Sequence, residues 1–169
     1  NVEDPKPEDL YNYGTIVQIV KILEMPDNTT TIIVQGKRRF VINNYIATEP
    51  YCTANISVID EVLPDNSQLA EFEAITSSIR DLSSKIIQMT PGMPNEAVFA
   101  LRNIENAFFL INFVCVNTAI NTEAKQELLE ESNVFNRSVR LLELLSQEMQ
   151  KVQLKEDIQS KVRAELNKQ

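Results

Sequence analysis

The sequence predicts an α+β protein: an antiparallel β lobe first, an α-helical bundle second, and one long helix last. Three observations carry this. Residues 13–59 hold short runs rich in β-branched residues, which fit a pleated surface better than a helix. Beyond residue 64 the apolar positions recur every three or four residues. From Ser132 or Asn133 that helical pattern meets no Pro or Gly before Lys168. The divisions that follow are a β-rich lobe at 1–63, a helical lobe at 64–132 and a long helix at 133–169. The dense first half of that helix (Leu141, Leu142, Leu144, Leu145) is expected to pack on the helical lobe. Its second half, with single apolar residues among charges, is expected to project as a connector.

The elements can be taken in order. "YGTIVQIVKIL" reads as a strand, "MPDNTT" at 25–30 as a turn, and "TTTIIVQG" as the returning strand. Gly36 suits a bulge or corner, so "RRFVINNYI" is read as a third strand. "YCTANISVI" alternates, with Cys52, Ala54, Ile56 and Val58 on one side, which predicts a sheet with one wet face. Leu69, Phe72, Ile75, Ile79, Leu82, Ile86 and Met89 then form a helical stripe, and Asp65 with Gln68 resembles a capping box at its start. "TPGMP" stops that helix, and Pro94 is placed as the first residue of the next. "ENAFFLINFVCVN" is apolar nearly all round and is expected at the buried centre. Thr122 is expected to cap "EAKQELLEE".

The 169 residues carry a net charge of −8. An acidic surface repels phosphate backbones and anionic lipid, so neither nucleic acid nor membrane is expected as a partner. No apolar run approaches the ~18–20 residues of a membrane span. The chain opens on Asn1 rather than Met, read as processing or a cut from something longer, and no signal peptide follows. A cytoplasmic location is expected, with Cys52 and Cys115 as two lone buried thiols. Asn-x-Ser/Thr matches at Asn28, Asn55 and Asn136 are read as chance.

Little here is suited to catalysis. Histidine is absent, which removes Ser-His and Cys-His nucleophiles and His-ligated metals. Gly14, Gly36 and Gly92 are the only glycines, and none sits in a phosphate-cradling motif. Ser84-Lys85 and Ser160-Lys161 are helix neighbours that point to different faces, and both are read as solvated surface. Glu130-Glu131 is read as an exposed helix face. "GKRRF" at 36–40 is read as an exposed strand with solvated charges, and Phe108, Phe109, Phe113 and Phe135 as core. No catalytic, cofactor-binding or metal-binding residue is therefore assigned, and substrate-contact residues are left open.

Several motifs in sequence order resemble one family. In "DLYNYGTIVQIVKILEMPDNTTTIIVQGKRRFVI", Tyr11, Gly14, Thr15, Ile16, Ile19, Pro26, Asp27, Val34, Gly36 and Arg39 fall where the N-terminal domain of the Lon ATP-dependent proteases has its pattern. "TEPYCTANISVIDE" resembles the strand that follows. Lys125, Gln126, Leu128, Leu129, Glu130, Val134, Arg137 and Leu141 match the family's helical pattern. The resemblance implies a PUA-like β lobe and a helical lobe whose last helix leads to an ATPase module and a Ser-Lys protease domain. It implies a non-catalytic N-terminal piece that binds misfolded or degron-bearing proteins and supports a homo-hexameric ring. The cleft between the lobes, with the apolar surface of the helical lobe beside it, is the expected contact surface. The family's opening strands are absent before Leu10, which leaves a sheet edge open to pairing. A stand-alone LON-domain-like adaptor without an ATPase is the alternative. An RNA-binding module, by analogy with other PUA-like folds, is disfavoured by the acidity, and an independent enzyme by the lack of candidate residues.

Overall fold

The computed structural model describes residues 2–167; Asn1 and the expected helical tail at Lys168 and Gln169 lie outside the described residues. Two units divide the chain, residues 1–61 and 62–169.

The first unit is an antiparallel sheet in the order β1-β2-β3, formed by β1 (Tyr13–Glu24), β2 (Thr30–Ala47) and β3 (Thr53–Ile59). The β1–β2 turn is set locally. Asp27 accepts from the Thr29 amide at 3.0 Å and Asn28 takes a φ of 62°, a region Asn tolerates. The two strands expected on either side of Gly36 are one strand of 18 residues. The ladder is shifted there rather than ended: Ile16 pairs with Arg38 and Val17 with Gly36, so Lys37 is bulged out. At Gly14 an added Cβ would meet the Phe40 ring at 2.7 Å, a close approach open only to glycine.

No sheet residue is buried. The expected dry face of β3 is not found, since Ile56 and Val58 are both exposed. Cys52 is exposed as well, contrary to its reading as a buried thiol, and Cys115 is half-buried.

The second unit holds α1 (Leu69–Met89), α2 (Asn95–Arg102), α3 (Ala107–Asn117), α4 (Thr122–Glu130) and α5 (Val134–Leu166). Asp65 and Gln68 exchange hydrogen bonds as a capping box does, the Asp65 amide to Gln68 Oε1 at 3.1 Å and the Gln68 amide to Asp65 Oδ1 at 3.2 Å. Pro94 sits at the cap of α2, one residue before the helix it was expected to open. α4 is capped by Asn121, which accepts from the Ala124 amide at 2.8 Å, so Thr122 is its first residue and not its cap. Asn133 caps α5 in the same way, accepting from the Asn136 amide at 3.0 Å. Gly92, at a φ of 81°, makes the left-handed turn between α1 and α2.

The core of this unit is Phe72 and Ile79 of α1, Leu101 of α2, Leu110, Ile111 and Val114 of α3, Leu128 of α4, and Val134, Leu141, Leu144 and Leu145 of α5. Val62 is pinned to the head of α5: its amide donates to the Ser132 carbonyl at 3.0 Å and its carbonyl accepts from the Val134 amide at 2.9 Å. The last buried residue of α5 is Leu145; Leu154, Ile158, Val162 and Leu166 are exposed.

Candidate functional apolar surface

Several residues singled out as possible chemistry have structural roles, while Ser160 and Lys161 are exposed. The Ser84 hydroxyl donates to the Arg80 carbonyl of its own helix at 2.8 Å, and Ser84 is buried rather than solvated. Glu130 accepts from Gln126 Nε2 at 2.9 Å, and Glu131 Oε1 accepts from the Asn133 amide at 2.8 Å. Two cations of "GKRRF" are engaged across the sheet in ion pairs, Arg38 with Asp60 and Arg39 with Glu61, while Lys37 donates to Gln35. Among the described residues no group of three His, Cys, Asp or Glu could hold a metal ion.

The aromatic residues expected together in the core separate into two pairs. Phe108 stacks on Phe72 at 5.8 Å and lies against the core with Phe135. Phe109 and Phe113 stack on each other at 6.2 Å and face outward, 59% and 36% exposed, and Val116 is 69% exposed. Positions 109, 113 and 116 are spaced i, i+4, i+7 and so share one helix face. α3 is therefore not the buried centre expected of it: Leu110, Ile111 and Val114 enter the core while this outer face stays open. The helix is secured without that face. Asn106 caps it by accepting from the Phe109 amide at 2.9 Å, and Lys125 Nζ reaches the Val116 carbonyl at 2.8 Å.

Phe113 also forms one wall of a cavity of about 220 Å³. Its lining is largely aliphatic, with Ile87, Met93, Leu101, Val114 and Leu145 converging from α1, α3, α5, α2 and the loop before α2. Ser83 lines it too, and its Oγ is buried without a hydrogen-bond partner among the described residues. An apolar cavity of ~150 Å³ takes a benzene ring, so this one is large enough for an aliphatic or aromatic side chain. A second depression, of about 430 Å³, adjoins it through the shared residues Ile86, Thr90 and Ala119. Its outer wall is the polar face of α5, with Lys151, Lys155 and Arg163 against Glu148 and Glu156.

The sheet unit carries its own exposed apolar face. Along residues 30–36 of β2 the side chains alternate, and Ile32 and Val34 pair with Ile22 and Ile19 of β1. Val17 opposes Gly36 on the same side, so these five aliphatic residues form one exposed patch. β3 pairs only with residues 39–47 of β2, which leaves this part of the hairpin two-stranded.

A concave apolar site bordered by exposed aromatics is a surface suited to taking an apolar side chain. Residues 1–147 match the family model described as the ATP-dependent protease La (LON) substrate-binding domain, and the chain belongs to that family. It is 43% identical over 167 residues to the Lon protease of Flavobacterium johnsoniae, covering 99% of this chain and 20% of that protein. With the Lon protease of Porphyromonas gingivalis the identity is 41% over 170 residues, covering 100% and 20%. The chain thus spans about 20% of the length of these curated relatives. The N-terminal domain of a Mycobacterium avium complex Lon protease superposes with a TM-score of 0.64 at 20% identity, over 86% of this chain and 74% of that one. A Lon N-terminal domain protein from Xanthomonas campestris gives 0.52 at 16%, over 84% and 71%. Those two likenesses speak to the fold. Among the described residues no helix is long and apolar enough to cross a membrane.

Proposed function

We propose that this chain is the non-catalytic, client-binding part of a Lon-like ATP-dependent serine protease, and that it holds misfolded or degron-bearing proteins by their exposed apolar segments. The observation that carries this reading is the outward Phe109–Phe113–Val116 face of α3 bordering the 220 Å³ cavity. A folded protein rarely leaves two stacked aromatics exposed beside an apolar hollow unless something docks there. An unfolded client offers what such a surface lacks: mobile apolar side chains with no core of their own. Each contact is weak, so several copies in a homo-hexameric ring would gain by effective concentration. Self-association of the whole protein belongs to the same proposal, as do the ATPase and Ser-Lys protease modules.

A second contact mode has its own support. The exposed Val17–Ile19–Ile22 stretch lies on β1, an edge strand among the described residues, and an extended segment can add to such an edge. The stand-alone adaptor reading shares both surfaces and differs only in lacking a motor.

The test compares one small disulfide protein in its native form and in its reduced, alkylated form. Fluorescence anisotropy should show binding of the unfolded form alone, weakened when Phe109 and Val116 are both replaced by Ser. Equal binding of the two forms, or none of either, sinks the reading.

A further inference from the structure

We infer that the 430 Å³ depression on α5 selects clients whose apolar segment is flanked by carboxylates. This rests on the reading of the helical unit as a client-binding surface and adds a sequence preference to it.

The argument begins with adjacency. Ile86, Thr90 and Ala119 line both depressions, so a chain segment with a side chain in the apolar cavity continues into the charged one. Three cations and two carboxylates line that second space. Lys151 is held by Glu148 at 3.7 Å, one turn away. That leaves Lys155 and Arg163 facing Glu156 alone, and both cations are exposed with no ion pair among the described residues. They lie two turns apart on α5, ~12 Å, a span that about four extended residues cover. The local sign opposes that of the whole molecule. A chain of net charge −8 repels acidic segments at long range, yet in the depression that adjoins the apolar cavity Lys155 and Arg163 outnumber the one remaining carboxylate, Glu156. At ~0.15 M salt the Debye length is ~8 Å, so these two cations and not the distant surface set the preference. The occupant is a segment of another polypeptide, with the carboxylates supplied by Asp or Glu side chains beside the apolar anchor.

The test uses fluorescein-labelled, C-terminally amidated Gly/Ser peptides carrying one Leu-Leu pair. The pair is flanked by Glu-Glu, Gln-Gln or Lys-Lys, and anisotropy is read at physiological salt. The Glu-flanked peptide should bind tightest and the Lys-flanked one weakest. Exposed ion pairs are individually weak, so two of them should give a preference of about fivefold over Gln. The double variant Lys155→Glu, Arg163→Glu should reverse the order, with the Lys-flanked peptide now tightest and the Glu-flanked one weakest. If the Gln-flanked peptide binds and the flanking charge has no effect, this inference falls while the client-binding reading stands. If no peptide binds, both fall. A Gln-flanked peptide with a free C-terminal carboxylate is the further arm, and its binding as tightly as the amidated Glu-flanked one overturns the side-chain assignment. Peptide affinity that drops as a dimer forms in sedimentation gives the groove to a second copy and overturns it too.

Discussion

The guanidinium of Arg137 closes on the main-chain carbonyl of Glu131 with two hydrogen bonds, from Nε at 3.0 Å and Nη2 at 2.6 Å. Arg137 is 1% exposed, and its Nη1 also reaches Asn112 Oδ1 at 3.2 Å. Glu131 is the C-cap of α4, so a cation sits where the helix dipole favours one. One side chain of α5 thereby fixes the end of α4 and touches α3. Removing it strands a half-buried carbonyl and empties the buried space of its side chain, and Arg137→Ala should cost about 2–4 kcal/mol in urea unfolding. Arg137→Lys should recover only part, because an ammonium cannot supply the planar fork. Full stability in the Lys variant would show that charge alone suffices.

The outer face of α3 should behave in the opposite way. Phe109 and Val116 are exposed, so replacing both by Ser should change unfolding free energy by at most about 1 kcal/mol. Binding to an unfolded client should nevertheless weaken severalfold. Leu110→Ala is the contrasting control, since Leu110 is fully buried and its loss should cost about 2–5 kcal/mol. Parallel losses of stability and binding in the Ser variant would make Phe109 and Val116 structural residues.

These residues show what was legible in the sequence. The stripe of α1 and the start of α5 near Ser132 and Asn133 are readable because apolar and polar positions alternate at the helical period. In α3 nearly every position is apolar, so no period separates Leu110, Ile111 and Val114 from Phe109, Phe113 and Val116. The choice between core and surface depends on neighbours far away in sequence. The cavity was unreadable for the same reason, because its wall gathers Ser83, Leu101, Phe113 and Leu145 from four helices. Gly36 suits a bulge and a corner alike in the sequence, so β2 divides there into two expected strands; the structure takes the bulge, and the ladder runs on past it.

Two exposed carboxylates set part of the acid response. The hydroxyl of Thr29 holds the Asp27 carboxyl below its ordinary range, with help from the Thr29 amide, and the Ser67 hydroxyl does the same at Asp65. A carboxyl depressed in the folded state binds fewer protons there than in the unfolded chain. Its contribution is therefore complete above the unfolded value, about pH 4, and is lost as pH falls through the lower folded value. The double variant Asp27→Asn, Asp65→Asn should thus show a shallower loss of Tm between about pH 5 and pH 2. Superimposable Tm–pH curves for variant and parent would remove these two turns from the acid response.

Ser83 separates a structural cavity wall from a ligand contact. Its hydroxyl is buried, lacks a hydrogen-bond partner among the described residues and lines the apolar cavity. A buried hydroxyl left unpaired costs ~1–3 kcal/mol, so Ser83→Ala should raise Tm or leave it unchanged, where most buried substitutions lower it. A client side chain seated there is held by aliphatic contact, which the added apolar surface of Ala preserves. Binding of the unfolded client to Ser83→Ala should therefore match that of the parent or exceed it. A drop in client affinity at unchanged Tm would mean that the hydroxyl finds its partner in the client, and the cavity would then read polar groups as well as apolar bulk.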